Sequence, residues 1–334
     1  MDRFTGLRWD ERAARVMIAT AFEPGNTVTG SLLDAEGPIA TLRLADSDDP
    51  IPGLSAKEAA AWRGPVQARL NPQQVDHALE QTERQDMRIL IPGDYGWPTE
   101  LDQLGSRTPA ALWAKGRPSS LAHPEAARIA VVGAEAASTY GYEMATALTG
   151  DLAQTGIHIV SGGSYGIDAA AHRAAMLNGT TTIAVMPTGL DRVYQMGNSD
   201  LYRRIEETGL LLSELPPGTT LTRGRTQQRT RLIAALSDGV LLVEADARSS
   251  AINVLREATA LRRPVGAVPG PITRPVSAGP NLWIQSGQAM LVTSATDARK
   301  FLLSNPARPG RERHLTEFET PAVADPPAPD WLRR

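Results

Sequence analysis

The sequence predicts an α/β protein built on a doubly wound, mostly parallel sheet, with a small, mainly helical module before it and a disordered tail after it. From Ala127 onward, short apolar runs alternate with longer helical patterns, which is typical of right-handed βαβ units. Several runs are apolar throughout, as expected of strands covered by helices on both faces. Glycines follow the runs at the carboxyl ends of the strands, where such sheets form their ligand crevice.

The elements of the sheet region follow one another in a regular order. Apolar runs predict strands at 128–132, 157–160, 182–186, 209–212, 239–243 and 264–268. Helical patterns lie between them, at 140–154, 169–178, 199–207, 230–237 and 251–261.

Two regions flank the predicted sheet domain, which we place at residues 86–302. Residues 1–85 form an accessory module with helices at 10–21 and 71–84; between these, the pattern of residues 38–44 fits either a strand or a helix. Residues 303–334 are rich in proline and charge and poor in apolar residues, which predicts disorder.

Composition excludes several classes of protein. The 334 residues contain no cysteine, which excludes disulfides, thiolate zinc sites and cysteine catalysis and agrees with a cytoplasmic location. The amino terminus has no secretory signal pattern, and no apolar run approaches the ~20 residues that cross a bilayer. We expect neither a cofactor nor contact with a membrane.

A glycine-rich turn is the clearest functional signal. The segment 159–168, Ile-Val-Ser-Gly-Gly-Ser-Tyr-Gly-Ile-Asp, passes from a strand through the turn into a helix. A helix start of this kind leaves N–H groups and a favourable dipole for a phosphate. Turns at Gly133 and Gly189 end other strands, and we expect all three to converge on the crevice.

Other candidate groups favour structural roles. The turn lacks the Gly-Lys-Ser/Thr of a nucleoside-triphosphatase P-loop. Asp168 is placed to brace the following helix, and His172 on an Ala-rich helix is interpreted as a core residue rather than a catalytic base. The five histidines are scattered without metal-ligand spacing. No catalytic residue is predicted.

Positive charge concentrates between Leu221 and Arg274. This segment holds nine arginines and four acidic residues, although the whole chain has a net charge of −3. Arg229 and Arg231 enter a predicted helix just before a strand, so at least one is expected to point into the crevice. A guanidinium there binds phosphate in a bidentate manner.

An ordered set of motifs resembles the DNA-processing protein A family (DprA, also called Smf). The resemblance spans roughly residues 88–300, with YGWP (95–98) and LWAKG (112–116) leading into it. Its blocks are RIAVVG (128–133), SGGSYGID (161–168) with Ala171 and His172, GLD (189–191) with Tyr194 and Asn198, SELPPG (213–218), RTRLIAALS (229–237), VEA (243–245), AVPG (267–270) and SAGPNL (277–282).

The resemblance implies an extended Rossmann-like domain that binds single-stranded DNA and is not known for catalysis. It implies a cytoplasmic homodimer that assists the loading of a RecA-type recombinase during natural transformation or related DNA recombination. No winged-helix segment is expected after residue 302. The implied phosphate or DNA contacts are Gly133, Ser161, Gly162, Gly163, Tyr165, Gly166, Arg229, Arg231 and Arg248.

This chain departs from the family pattern at the predicted interface. Glu135 stands where the family has an arginine, and Tyr165 replaces a basic residue of the glycine-rich turn. Thr226-Gln227 replaces Phe-Pro, Thr230 replaces an asparagine, and Ser249-Ser250 replaces Ser-Gly. Replacing a cation by a carboxylate is expected to weaken DNA binding.

Two other interpretations remain open on the same fold. One is a nucleotide-binding sensor or a nucleotide hydrolase, because Glu257 in the segment 248–257 has a spacing comparable to that of phosphoribohydrolases. The other is an interaction scaffold that has lost ligand binding, since Glu135 opposes anions.

Overall fold

A mixed sheet lies at the centre of the fold. The computed structural model describes residues 10–121 and 126–305, and within these ranges nine strands form one sheet. Numbered along the chain, the strands are β1 Arg88–Leu90, β2 Leu112–Gly116, β3 Arg128–Val132, β4 His158–Ser161, β5 Thr182–Val185, β6 Leu210–Ser213, β7 Gly239–Leu242, β8 Val265–Ala267 and β9 Met290–Leu291.

The sheet has the predicted doubly wound topology. Its order is β1-β2-β6-β5-β4-β3-β7-β8-β9; β2 runs antiparallel to β1 and β6, and the other pairings are parallel. From β3 the chain proceeds outward through β4, β5 and β6, and then returns to β7 on the opposite side of β3. The switch point, where open α/β sheets form their crevice, therefore lies between β3 and β7.

Helices cover both faces of the sheet. In the same described residues they are α1 Glu11–Ala21, α2 Thr27–Asp46, α3 Ala56–Gln67, α4 Pro72–Arg84, α5 Thr139–Gln154, α6 Ile167–Leu177, α7 Ser199–Thr208, α8 Arg223–Gln228, α9 Thr230–Ala235, α10 Ala251–Ala260, α11 Ala278–Gln285 and α12 Ala295–Leu303. Every strand and helix predicted between 127 and 268 is present, with ends that differ by at most two residues. The sequence predicts disorder for residues 303–334; the first residues of this range are instead ordered, because Leu303 ends α12 and Asn305 is buried, and residues 306–334 lie outside the described residues.

Alternating side chains divide the core between the two faces. Ala130 and Val132 of β3 pack with α9 and α10 on one face, whereas Ile129 and Val131 pack with α5, α6 and α12 on the other. This two-sided cover explains why the strands are apolar throughout.

The helices before the sheet share a core with it. Met17 and Trp62 pack in one cluster with Trp113 of β2 and Leu211 of β6. The indole of Trp113 is fully buried, and its Nε1 donates a hydrogen bond to Thr82 Oγ1 of α4 at 3.0 Å. The division of the chain at residue 85 stays a prediction.

Local sequence explains the helical module. The predicted helices at 10–21 and 71–84 are confirmed as α1 and α4. The ambiguous run 38–44 is helical and forms the second half of α2, after a kink at Gly37, whose φ is 80°. Helix α3 was not predicted, although Ser55 and Glu58 form a capping box at its start. In the described part of the chain, no helix is both long and apolar enough to cross a bilayer.

Candidate nucleic-acid interface

The loops after β3, β4 and β7 meet at the switch point. Ala134 N donates to Glu244 O at 2.7 Å, and Ile167 N donates to Ala134 O at 3.1 Å. The turns at Gly133 and Gly166 are therefore in direct contact, as predicted. The third turn differs, because Gly189 N bonds Thr219 O in the loop after β6. The resulting crevice is lined by Val132, Gly133, Glu135, Ser164, Asp168, Thr226, Arg229, Thr230, Ile233, Ser250, Ala251 and Val254.

The glycine-rich turn already uses several of its polar groups. Ser164 N donates to Asp168 Oδ2 at 3.3 Å, and Tyr165 N donates to Gln195 Oε1 at 2.6 Å. Ser161 is fully buried and its hydroxyl donates to Val131 O at 2.6 Å. These three donors hold the turn together, and the expected phosphate contacts at the turn stay a prediction.

The segment 194–202, which follows β5, holds the glycine-rich turn in place by hydrogen bonds. Tyr202 Oη donates to Gly163 O at 2.8 Å, and Asn198 Nδ2 reaches the same oxygen at 3.2 Å. Burial raises the pKa of Tyr202, so this hydroxyl keeps its proton. Tyr194 Oη lies 3.2 Å from Ser164 Oγ. The sequence motifs include Tyr194 and Asn198 but not Tyr202, although all three side chains contact the turn across 30 to 39 residues of the chain.

Tyr165 is the member of the turn that faces solvent. Its side chain remains 40% exposed, while its Oη accepts a hydrogen bond from Gly197 N at 2.8 Å. Anchoring at the hydroxyl holds the ring in one position. An aromatic face fixed and accessible in this way can stack on a nucleobase.

Arg229 is an internal brace of the same turn. Its Nη1 donates to Gly162 O and to Val185 O at 3.1 Å, and its Nη2 donates to Ser164 Oγ at 3.1 Å. The guanidinium also lies 5.0 Å from the ring centre of Tyr194, within cation–π range. Arg229 reaches the crevice, as expected, but its fork is committed to protein acceptors.

Asp168, in the first turn of α6, lies beside this brace. Burial raises the pKa of its carboxyl group, and the charge of Arg229 opposes that rise. Gly162 lies close to both side chains, which leaves little room between them. Asp168 therefore supports the turn rather than opening it to an anion.

Arg231 does not reach the crevice as a free cation. Its Nη1 and Nη2 bind Glu214 in a bidentate pair at 2.6 and 2.5 Å, and its Nε donates to Arg107 O at 2.9 Å. The two paired side chains are 1% and 7% exposed. A phosphate contact at Arg231 would require this buried ion pair to open, which is costly.

The loops after β3 and β7 each carry a carboxylate. Glu244 accepts from Ser138 N at 2.9 Å and from Ser138 Oγ at 2.6 Å, so its charge already fills the amino-terminal end of α5. Glu135 is exposed on the loop after β3 and lines the crevice. Arg248, on the loop after β7, is exposed and is the predicted site arginine that solvent reaches.

The remaining candidates have structural roles. His172 is fully buried, its Nδ1 lies 2.7 Å from Thr182 Oγ1, and burial lowers its pKa to about 3. Glu257 pairs with Arg107 at 2.8 Å and does not line the crevice. Among the described residues, no group of three or more His, Cys, Asp or Glu is arranged to hold a metal ion.

Comparison with known proteins decides the family. The model of the family described as DNA recombination-mediator protein A matches residues 88–303, well over half of the chain. The chain belongs to this family. The putative DNA processing protein DprA of Mycobacterium tuberculosis is 40% identical over 242 residues, 69% of this chain and 62% of that protein. The chain thus spans less than two thirds of the length of this family member.

Solved structures of DNA processing protein A agree with this assignment. The Streptococcus pneumoniae protein superposes with a TM-score of 0.70 and 30% identity, covering 87% of this chain and 98% of that one. The Helicobacter pylori protein, whose structure concerns its single-stranded DNA binding mode, gives a TM-score of 0.59 and 28% identity over 65% of this chain and 96% of its own. The resemblance inferred from the sequence motifs is confirmed.

Proposed function

We propose that this member of the DNA recombination-mediator protein A family binds single-stranded DNA along the carboxyl edge of its sheet, without sequence preference. The exposed ring of Tyr165, held by Gly197 at the mouth of the glycine-rich turn, carries the proposal. Stacking tolerates any base because every base offers a π-face. The single-stranded DNA binding of the Helicobacter pylori relative supports the same ligand class.

Phosphate contacts complete the proposed interface. Arg248 is exposed after β7, and the absence of side chains at Gly133 and Gly166, where the loops after β3 and β4 meet, lets a phosphate backbone come close to these loops. We assign a supporting role to Ser161, Gly162 and Gly163, which shape the turn. Glu135 repels phosphate where the strand crosses the β3–β7 switch point, so we expect the loops after β4, β5 and β6 to contribute most of the affinity.

The cellular role we propose is assistance in loading a RecA-type recombinase on DNA, in the cytoplasm, during transformation or related recombination. Family membership is its support. We also propose a homodimer, because β9 ends the sheet and carries the exposed side chains of Met290 and Leu291, with Leu282 of α11 exposed as well. Exposed apolar side chains grouped at a sheet edge are typical of a protein–protein interaction surface.

A binding role is better supported than nucleotide chemistry. The crevice has a volume of about 20 Å³, room for about one water molecule, and the carboxylates of Glu135 and Asp168 line it. His172 is buried away from it and Glu257 pairs elsewhere, so neither candidate group is placed to act on a nucleotide.

Fluorescence anisotropy with a labelled ~30-nucleotide dT oligomer at two salt concentrations tests the proposal. We expect binding that weakens with salt and exceeds binding to a duplex of the same length. Tyr165→Ala should lower the affinity about 5- to 100-fold, whereas Tyr165→Phe keeps the ring and most of the affinity. Equal affinity of wild type and Tyr165→Ala, or no binding at low salt, would contradict the proposal.

Charge reversal at Glu135 tests whether this residue lies on the DNA path or affects binding only through the net charge of the protein. Glu135→Arg should strengthen oligomer binding and steepen its salt dependence, because it adds a phosphate contact. Asp151→Arg makes the same charge change at an exposed position near the end of α5 and serves as the control. Equal effects of the two variants would show that only net charge matters and would remove Glu135 from the DNA path.

A further inference from the structure

A salt bridge joins the helical module to the basic segment. Glu23, in the turn between α1 and α2, accepts from Arg225 Nε at 3.1 Å and from Arg225 Nη2 at 3.0 Å. Arg69 Nη1 also donates to Glu23, at 3.1 Å. Gly25 of the same turn packs closely against Gln228 and Arg231. The turn is therefore seated directly on α8 and α9.

Arg225 lies at the edge of the proposed DNA path. It belongs to α8, and the residue that follows it in this helix, Thr226, lines the crevice. Its Nη1 donates to Thr220 O at 2.9 Å, which fixes the loop after β6. Arg192 reaches the same loop, with its Nε 2.9 Å from Gly218 O, and both Arg192 and Arg223 are exposed. Two guanidinium groups, those of Arg225 and Arg192, therefore bond one loop, and Arg223 follows that loop in the chain.

The contact with Glu23 differs in kind from the buried pair of Arg231. The side chains of Glu23 and Arg225 are 51% and 18% exposed, against 7% and 1% for Glu214 and Arg231. A pair with a half-exposed carboxylate opens at a lower cost than a fully buried pair, because water can solvate the carboxylate once it is released. Partial burial opposes ionisation of Glu23, but Arg225 and Arg69 outweigh it and hold its pKa below the ordinary value, so Glu23 is an anion at neutral pH.

The carboxylate of Glu23 occupies the edge of Arg225 that a phosphate would use. Carboxylate and phosphate oxygens both accept two parallel hydrogen bonds from one guanidinium fork. We propose that Arg225, with Arg223 and Arg192 beside it, forms a second phosphate-binding site for the DNA strand, and that Glu23 fills this site as an internal competitor until DNA displaces it. This inference rests on the proposed function and adds a contact and a regulator to it.

Neutralising the competitor tests the inference. Glu23→Gln should tighten binding of the ~30-nucleotide dT oligomer about threefold to tenfold at low salt and steepen the slope of log K against log salt by about 0.7. Adding Arg225→Ala to Glu23→Gln should remove the gain, and Arg225→Ala alone should weaken binding. Glu36→Gln, the same charge change at an exposed position of α2, is the matched control and should bind as wild type does.

The outcomes separate this inference from the proposed function. If wild type binds the oligomer and neither Glu23→Gln nor Arg225→Ala changes its affinity, the second site is overturned and the proposed function stands. If no variant binds the oligomer, the proposed function fails, and titration with inorganic polyphosphate then decides the site. Arg225-dependent binding of polyphosphate by Glu23→Gln would support the site, and its absence would overturn it.

Discussion

Two arginines separated by one residue, Arg229 and Arg231, show how partners decide the role of a charge. Both are buried and both donate to protein groups, one to the glycine-rich turn and the other to Glu214. Their motif indicated a phosphate contact. The structure gives each a bracing role, because Arg229 bonds the glycine-rich turn and Arg231 is paired with Glu214.

We expect Arg231→Ala to lower the free energy of unfolding by about 3–5 kcal/mol, because it leaves the carboxylate of Glu214 buried and unpaired. Urea denaturation measures this loss. Arg231→Met with Glu214→Leu should recover most of it, since no charge then remains buried. Weaker DNA binding by Arg231→Ala at unchanged stability would instead return Arg231 to the interface.

The buried His172 predicts a pH dependence of stability. Its folded-state pKa, about 3, lies below its unfolded value of 6.5, so the unfolded chain binds the proton first. The stability it confers is present above pH 6.5 and is lost as pH falls toward 3, by about 1.4 kcal/mol per pH unit. Urea denaturation at pH 7 and pH 5 should show this loss.

Replacing His172 tests whether this side chain causes the pH dependence of stability. His172→Leu should show a shallower fall in stability between pH 7 and pH 5, whereas His77→Gln, at an exposed position of α4, should keep the wild-type slope. An unchanged slope in His172→Leu would mean that other groups cause the acid sensitivity.

Residue types and spacing predicted some of these roles. An Ala-rich helix implied a core position for His172, and the start of the same helix implied a bracing role for Asp168. The partners of the arginines were beyond reach, because Glu214 precedes Arg231 by 17 residues and Gly162 precedes Arg229 by 67. Sequence motifs indicate where arginines cluster but not which carboxylates or carbonyls meet them.

Among the elements, the glycine-rich turn is the most constrained. Gly166 has a φ of 70° and ψ of −122°, and a Cβ there would lie 2.2 Å from Ala134 O. The backbone conformation excludes other residues, and the contact with the loop after β3 excludes a side chain.

We expect Gly166→Ala to destabilise the fold by more than about 3 kcal/mol, because strain and a backbone clash combine. Gly156→Ala provides the control: Gly156 also has a positive φ, 77°, but a Cβ there meets open space. It should cost only about 1 kcal/mol. Thermal melting of both variants measures the difference, and equal losses would show that the contact with Ala134 can relax.

Strands and helices of the sheet region were predictable because the apolar runs and the helical periods alternate without ambiguity. The misses have physical causes. Helix α3 contains Pro65 and few large apolar residues, so its periodicity is weak although its capping box is visible. Strand β9 has only two residues, Met290 and Leu291, which is too short for any pattern to show.

At the scale of the molecule, the shared core links the helical module to the sheet. Because Trp62 and Trp113 belong to one apolar cluster, separating the two regions would expose both. We expect urea unfolding followed by far-UV circular dichroism and by tryptophan fluorescence to give one coincident transition.

Substitution in the module tests this cooperativity. Leu32→Ala, at a buried position of α2, should lower the midpoint of both traces equally, by a loss of about 2–5 kcal/mol. Leu177→Ala, at a position 75% exposed, should leave the midpoint unchanged. Two separate transitions would show that residues 1–85 fold independently of the sheet.

The position of Glu244 has a practical consequence for ligand screening. Its carboxylate sits where α/β proteins of this topology commonly receive the phosphate of a mononucleotide. Thermal-shift screens with nucleotide libraries, or crystals grown from phosphate buffers, therefore address a position that the protein has filled with its own anion. Oligonucleotides long enough to cross several loops are the better choice for soaking and co-crystallisation.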